Sequence, residues 1–169
     1  MRTTIQERRL GWLLGFLGLT FGAAALGGAF TARSVGTWYQ TLRKPPWNPP
    51  DWLFGPVWTA LYVMMAVAAW LICRAMPEQA DRRGAGVTAL AAWAVQLALN
   101  VSWSAVFFGQ RQIAAGLAVI GLLWAAIAAT ATLATRVARP AGLLLLPYLA
   151  WTTFAAVLNY RVWQLNRER

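Results

Sequence analysis

Residues 38–58 read WYQTLRKPPWNPPDWLFGPVW, with five prolines, four tryptophans and the cations Arg43 and Lys44 crowded together. A segment that only joined two helices could be short and polar. The runs on either side explain why this one is neither. Residues 10–32 and 52–73 contain no charged side chain, and the same holds for 84–110, 112–135 and 140–160. Each run matches the roughly 20 helical residues needed to cross a hydrocarbon core of about 30 Å.

Composition leads to the same class. The chain has 169 residues, 59% of them hydrophobic and 12% charged, and a mean hydropathy of +0.49. A soluble domain carries roughly 25% charged residues, so this chain lacks the charge to cover a water-facing surface. The expected fold is an all-α integral membrane protein: a bundle of five transmembrane helices with the Pro/Trp-rich loop between helices 1 and 2 covering a pocket. One domain, 1–169, is expected, with spans at about 10–32, 52–74, 84–108, 112–135 and 140–163 and a lid loop at 33–51.

The net charge of +10 does not point to nucleic acid. Its arginines are scattered at span ends and leave no face for a phosphate track; cations there meet lipid headgroups and help fix topology. One side would carry Arg2, Arg8, Arg9, Arg74, Arg82, Arg83, Arg136 and Arg139. The other would carry Arg33, Arg43, Lys44, Arg111, Arg161, Arg167 and Arg169. The imbalance leans only slightly toward a cytoplasmic N-terminus. The first uncharged run exceeds the 7–15 residues of a signal-peptide core, so it is read as a retained helix. Its Gly11, Gly15, Gly18, Gly22, Ala25 and Ala29 form one small-residue face, of the kind that lets helices approach closely in lipid.

Absences narrow the chemistry. The chain has no histidine and a single cysteine, Cys73. Histidine-ligated haem, a histidine zinc site, a histidine-assisted nucleophile and an internal disulfide are therefore excluded. No Asp or Glu lies inside a span, and a proton-coupled transporter needs a titratable group there. No cofactor is expected.

The spans do carry amides, hydroxyls and indoles. Gln96, Asn100, Trp103 and Phe107 recur at intervals of four, three and four, so they share a helix face. In the fifth span Tyr148, Trp151, Ala155 and Leu158 lie on one side, with Asn159 adjacent, and Trp58 and Tyr62 sit one turn apart in the second. The amides have two uses open to them: bonds between helices, or orienting the polar edge of a flat apolar ligand stacked on the rings. In the fourth span, Ala114, Ala118, Gly121, Ala125, Ala128 and Thr132 line a face with no chemistry on it, which is read as packing. The prolines make KPPWNPPDW a stiff, non-helical segment. It is either a lid with Trp47 and Trp52 pointing into the bundle, or a loop lying in the headgroups.

These motifs carry a resemblance. WYQTLRKPPWNPPDWLFGPVWTALY, QLALNVSWSAVFFG and PYLAWTTFAAVLNYRVWQLN are similar, in order and position, to the TspO family of tryptophan-rich sensory proteins related to the mitochondrial translocator protein. The likeness runs from about residue 11 to 166. It implies five transmembrane helices, commonly dimeric, and a pocket for protoporphyrin IX and other tetrapyrroles, for isoquinoline and benzodiazepine drugs, and in some members for cholesterol. The implied pocket residues are Tyr39, Pro49, Trp58, Tyr62, Asn100, Trp103, Phe107, Trp151, Ala155 and Leu158. The counterparts of Trp58 and Trp151 are linked in some relatives to light-dependent porphyrin breakdown. Two departures stand out. The cholesterol motif of the fifth helix is incomplete, because Arg161 directly follows Tyr160 and Arg167 lies too far on, which argues against cholesterol. Ala115 stands where animal members carry tryptophan, implying a larger pocket or weaker drug affinity.

Four functions follow as alternatives: a porphyrin-binding sensor or receptor, a photo-oxidative porphyrin-degrading activity, a porphyrin or lipid transporter, and a scaffold. The Ala/Arg-rich composition points to a bacterial cell membrane.

Overall fold

The computed structural model describes residues 2–76 and 83–167, with side-chain surroundings from residue 10 onward. Arg2, Arg8, Arg9, Arg82 and Arg169 of the topology count lie outside the described side chains. The elements are α1 (Arg2–Val35), α2 (Trp38–Thr41), α3 (Asp51–Ala75), α4 (Arg83–Ser104), a π-helical turn (Ala105–Gly109), α5 (Ile113–Val137), α6 (Arg139–Leu144) and α7 (Leu146–Asn166). No strand occurs among the described residues. Among the described residues five segments are long and apolar enough to cross a membrane: Leu10–Val35, Asp51–Ala75, Arg83–Gly109, Ile113–Val137 and Arg139–Asn166. The protein is an all-α, multi-pass membrane protein.

Helix ends follow local chemistry. Pro50 is extended at the N-cap of α3, and Asp51 supplies an acidic first turn that favours the positive end of the helix dipole. Ala138 is extended (φ −147°) and parts α5 from α6, where Pro140 occupies the first turn. There Gly142 presses on α5, and a Cβ at that position would run into the Thr135 side chain and the Ala131 carbonyl. The fifth span is not one continuous helix. It breaks at Leu145, because Pro147 has no N–H to donate to the preceding turn.

The long helices close a ring in the order α1, α3, α6–α7, α5, α4 and back to α1. Packing divides the bundle into two halves. In the half bounded by α6, a continuous core is built on α3, whose Met65, Ala66, Ala68, Ala69 and Ile72 are fully buried, together with Trp93, Leu123, Ile127, Leu145 and Tyr148. In the half toward the lid, the buried apolar cluster is only Tyr39, Phe107 and Phe108. The first half is solid and the second is hollow.

The small-residue faces do not pack inside the bundle. Gly11, Gly15, Gly18, Gly22, Ala25 and Ala29 of α1 are all exposed. On α5 the buried side is Gly116, Ile120, Leu123, Ile127, Thr130, Ala131, Ala134 and Val137, while Ala114, Ala118, Gly121, Ala125 and Thr132 face outward. Bulky residues face outward as well, among them Leu14, Leu19 and Leu26 of α1 and Leu122 of α5, because lipid tails are as apolar as leucine and give it no drive toward the core.

Candidate functional site

The hollow half holds a cavity of about 380 Å³, within the size range of small-molecule pockets. Its floor is a polar bridge. Tyr62 donates its hydroxyl to Asn100 Oδ1 at 2.7 Å, and Asn100 Nδ2 donates to the Tyr148 hydroxyl at 2.9 Å. One amide thus ties α3, α4 and α7 together where the solid core ends. A second amide closes the far wall. Asn159 Oδ1 accepts from Trp103 Nε1 at 3.3 Å, and its Nδ2 donates to the Ile113 carbonyl at 3.1 Å. Both amides serve as interhelical bonds and also line the cavity, so the two uses open in the sequence are combined. Gln96 is different: it is fully buried, lies off the cavity, and offers its Nε2 only to the Met65 sulfur at 3.6 Å.

The walls are rings. After Ser104 the helix widens into the π-turn, with Gln110 N–H donating to the Ala105 carbonyl at 2.8 Å. Such turns recur at functional sites. Here the widening brings the sequence neighbours Phe107 and Phe108 both inward, 3% and 9% exposed. Trp103 stacks on Phe107 at 5.5 Å, and Phe107 meets Phe108 edge-on at 4.8 Å. Across the cavity Trp58 lies 5.8 Å from Tyr62 and 6.1 Å from Tyr148.

The lid forms the roof. Tyr39 on α2 is its buried ring, 4% exposed and 5.7 Å from Phe108. Its hydroxyl donates to Asn48 Oδ1 at 3.0 Å, tying the helical part of the lid to its proline-rich part. Burial, and then the Asp51 carboxylate, push the Tyr39 phenol up to about 12. A two-way clasp fastens the lid to the end of α7: the Arg43 N–H donates to Asn166 Oδ1 at 3.1 Å, and Asn166 Nδ2 donates to the Arg43 carbonyl at 3.0 Å. Trp47 and Trp52 do not point into the bundle as expected. Trp52 is 72% exposed, and Trp47 packs on Phe154 at 5.9 Å on the outside of α7.

Of the ten residues expected at the pocket, Tyr39, Trp58, Tyr62, Asn100, Trp103, Phe107, Ala155 and Leu158 line the cavity. Pro49 and Trp151 do not. Pro49 stays within the lid, its carbonyl accepting from Asn48 Nδ2 at 2.9 Å. Trp151 borders an outer groove with Val57, Met64 and Phe154; the ring of Phe54, a cavity residue, lies 6.0 Å from it. Ala115 is not in the wall either, and α5 contributes no lining residue.

Several lining residues carried no clear signal in the sequence: Phe108, Ser104, Asp51, Phe54, and the α1 wall of Ala24, Gly27, Gly28 and Thr31. On α1 a usable signal did exist. Thr20, Thr31 and Ser34 recur near helical spacing with Gly27, and this inward face differs from the glycine face chosen on periodicity alone.

Five membrane helices around an aromatic, intramembrane cavity roofed by a loop define a multi-pass membrane protein with a pocket for a small ligand. The TspO/MBR family pattern matches residues 16–164. The tryptophan-rich protein TspO of Chlorobaculum tepidum is 43% identical over 150 residues, covering 89% of this chain and 92% of the relative. Protein CrtK of Rhodobacter capsulatus is 41% identical over 144 residues, covering 85% and 86%. The translocator protein of Bos taurus is 42% identical over 144 residues, covering 85% and 83%. The chain belongs to the TspO/MBR family. Its bacterial relatives and its five spans support a location in a bacterial cell membrane.

Proposed function

We propose that the protein is a membrane receptor or sensor that binds protoporphyrin IX and related flat apolar ligands in the lidded cavity. The observation that carries the reading is the lining itself: rings on facing walls, two amides, one carboxylate (Asp51) at the lid, and no lysine or arginine. Rings offer stacking surface of about 0.5–1.5 kcal/mol per pair beyond burial. The Asn100 and Asn159 amides supply orientation. Isoquinoline and benzodiazepine drugs fit the same chemistry, whereas an ion or a sugar would find too few polar partners. Cholesterol is left out because the fifth-helix motif is incomplete.

The test is quenching of tryptophan fluorescence by protoporphyrin IX in the dark, using the purified protein. Saturable quenching that weakens in Trp103→Ala and Asn100→Ala is expected. Quenching that never saturates, or that neither change affects, overturns the reading. Light-dependent breakdown of the bound porphyrin is a second reading, favoured by the position of Trp58 in the wall. It predicts loss of porphyrin absorbance under illumination that disappears in Trp58→Phe. Because Trp151 does not line the cavity, Trp151→Phe should have the smaller effect.

A further inference from the structure

Asp51 is the only carboxylate among the residues whose side chains are described, and it lines the cavity at the lid. No lysine or arginine lines that cavity, although Arg43 and Lys44 are close in sequence. Among the described residues Asp51 is paired with no cation. Its partner is Gln40, whose Nε2 donates to Asp51 Oδ2 at 3.0 Å. The same amide turns its oxygen to Lys44, which donates to Gln40 Oε1 at 3.4 Å. Lys44 is held elsewhere, donating to the Tyr39 carbonyl at 2.8 Å and lying 4.6 Å over the Tyr39 ring. Gln40 therefore spaces the cation from the anion. The N-terminal end of α3 offers about half a positive charge, less than the carboxylate carries, so Asp51 is the one full charge on the cavity wall itself among the described residues.

We propose that Asp51 sets the charge preference of the pocket. It favours flat apolar ligands that present a cationic amine at the lid over neutral ligands of the same shape, and disfavours those presenting a carboxylate there. The inference rests on the pocket reading above and adds the ligand's charge to it. A tetrapyrrole with carboxylate arms then enters only with those arms turned away from Asp51.

Three probes with one ring system test this: pyrenemethylamine, pyrenemethanol and pyrenecarboxylate. Each is titrated into the full chain in discs of zwitterionic lipid, with energy transfer from tryptophan to pyrene as the readout and empty discs correcting for partition. In the wild type the amine should bind more tightly than the alcohol by about two- to fivefold, the range of an exposed ion pair. That preference should vanish in Asp51→Asn and persist in Asp51→Glu, and the carboxylate should gain in Asp51→Asn. Equal amine-to-alcohol ratios in wild type and Asp51→Asn, with the alcohol bound in both, overturn the assignment to Asp51. If none of the three probes binds the wild type saturably, the pocket reading itself falls. Circular dichroism and size-exclusion profiles identify a variant that has failed to fold.

Discussion

A Cβ built on Gly116 would meet Phe107 at 2.9 and 3.1 Å and the Asn159 amide oxygen at 3.4 Å. Two effects oppose each other in Gly116→Ala. Alanine favours the helix by about 1 kcal/mol, while overpacking costs about 1–3 kcal/mol, and the nearer atoms are the ring Cδ2 and the Cβ of Phe107, a ring held by its stack on Trp103 rather than a flexible tip. The clash wins. Phe107 should be pushed toward the cavity, so protoporphyrin affinity should fall in a titration and be partly restored by adding Phe107→Leu; an affinity at or above wild type would contradict this. At this scale the sequence is readable where helical period holds. Asn100, Trp103 and Phe107 recur at three and four residues and all line the cavity. Phe108 was hidden because an ordinary helix sets neighbours about 100° apart, and nothing in AVFFG announces the wider turn that brings both rings inward.

The lid depends on a protonated phenol. Tyr39 holds its proton more tightly in the fold, at about 12 against an ordinary 10.0, and the bond to Asn48 uses that proton. A group whose folded value is raised contributes its stability fully below the unfolded value and loses it as pH rises through the folded one. The lid should therefore hold up to pH 10 and loosen between 10 and about 12. Ligand release, followed by recovery of tryptophan fluorescence, should accelerate across that window in the wild type. In Tyr39→Phe release should already be faster below pH 10, with the acceleration largely gone; an unchanged profile would remove Tyr39 from the lid's fastening. The stiffness of this element was legible in KPPWNPP, because proline fixes φ. Where its rings point was not, since that depends on partners distant in the chain: Trp47 found Phe154, and Tyr39 found Phe107 and Phe108.

Across the whole molecule, five uncharged runs give the helix count, because each must satisfy its backbone inside lipid. The outward small-residue faces were harder to place, since glycine and alanine recur on several sides of α1 and no face is unique. A Cβ on Gly11, Gly15, Gly18 or Gly22 meets nothing within 4 Å, and the four form two successive GxxxG pairs on the membrane side. A second copy is expected to pack there. Gly18→Leu should keep the helical spectrum of the protein while lowering the dimer fraction in light scattering; an unchanged dimer fraction would place the contact on another face. The division into solid and hollow halves leads to a further expectation. The hollow half buries fewer apolar side chains and should open more easily than the core around Met65 and Ile72. A ligand filling the cavity touches α1, the lid, α3, the π-turn and α7 together, so its binding energy becomes stability of that half. At a hundred times its dissociation constant it adds about 2.7 kcal/mol. Hydrogen exchange with saturating protoporphyrin IX should slow most in Tyr39–Thr41 and Ala105–Gly109 and least in Met65–Ile72, where opening already requires loss of the core. Slowing spread evenly over lipid-facing segments would instead mark a porphyrin adsorbed on the outside of the bundle.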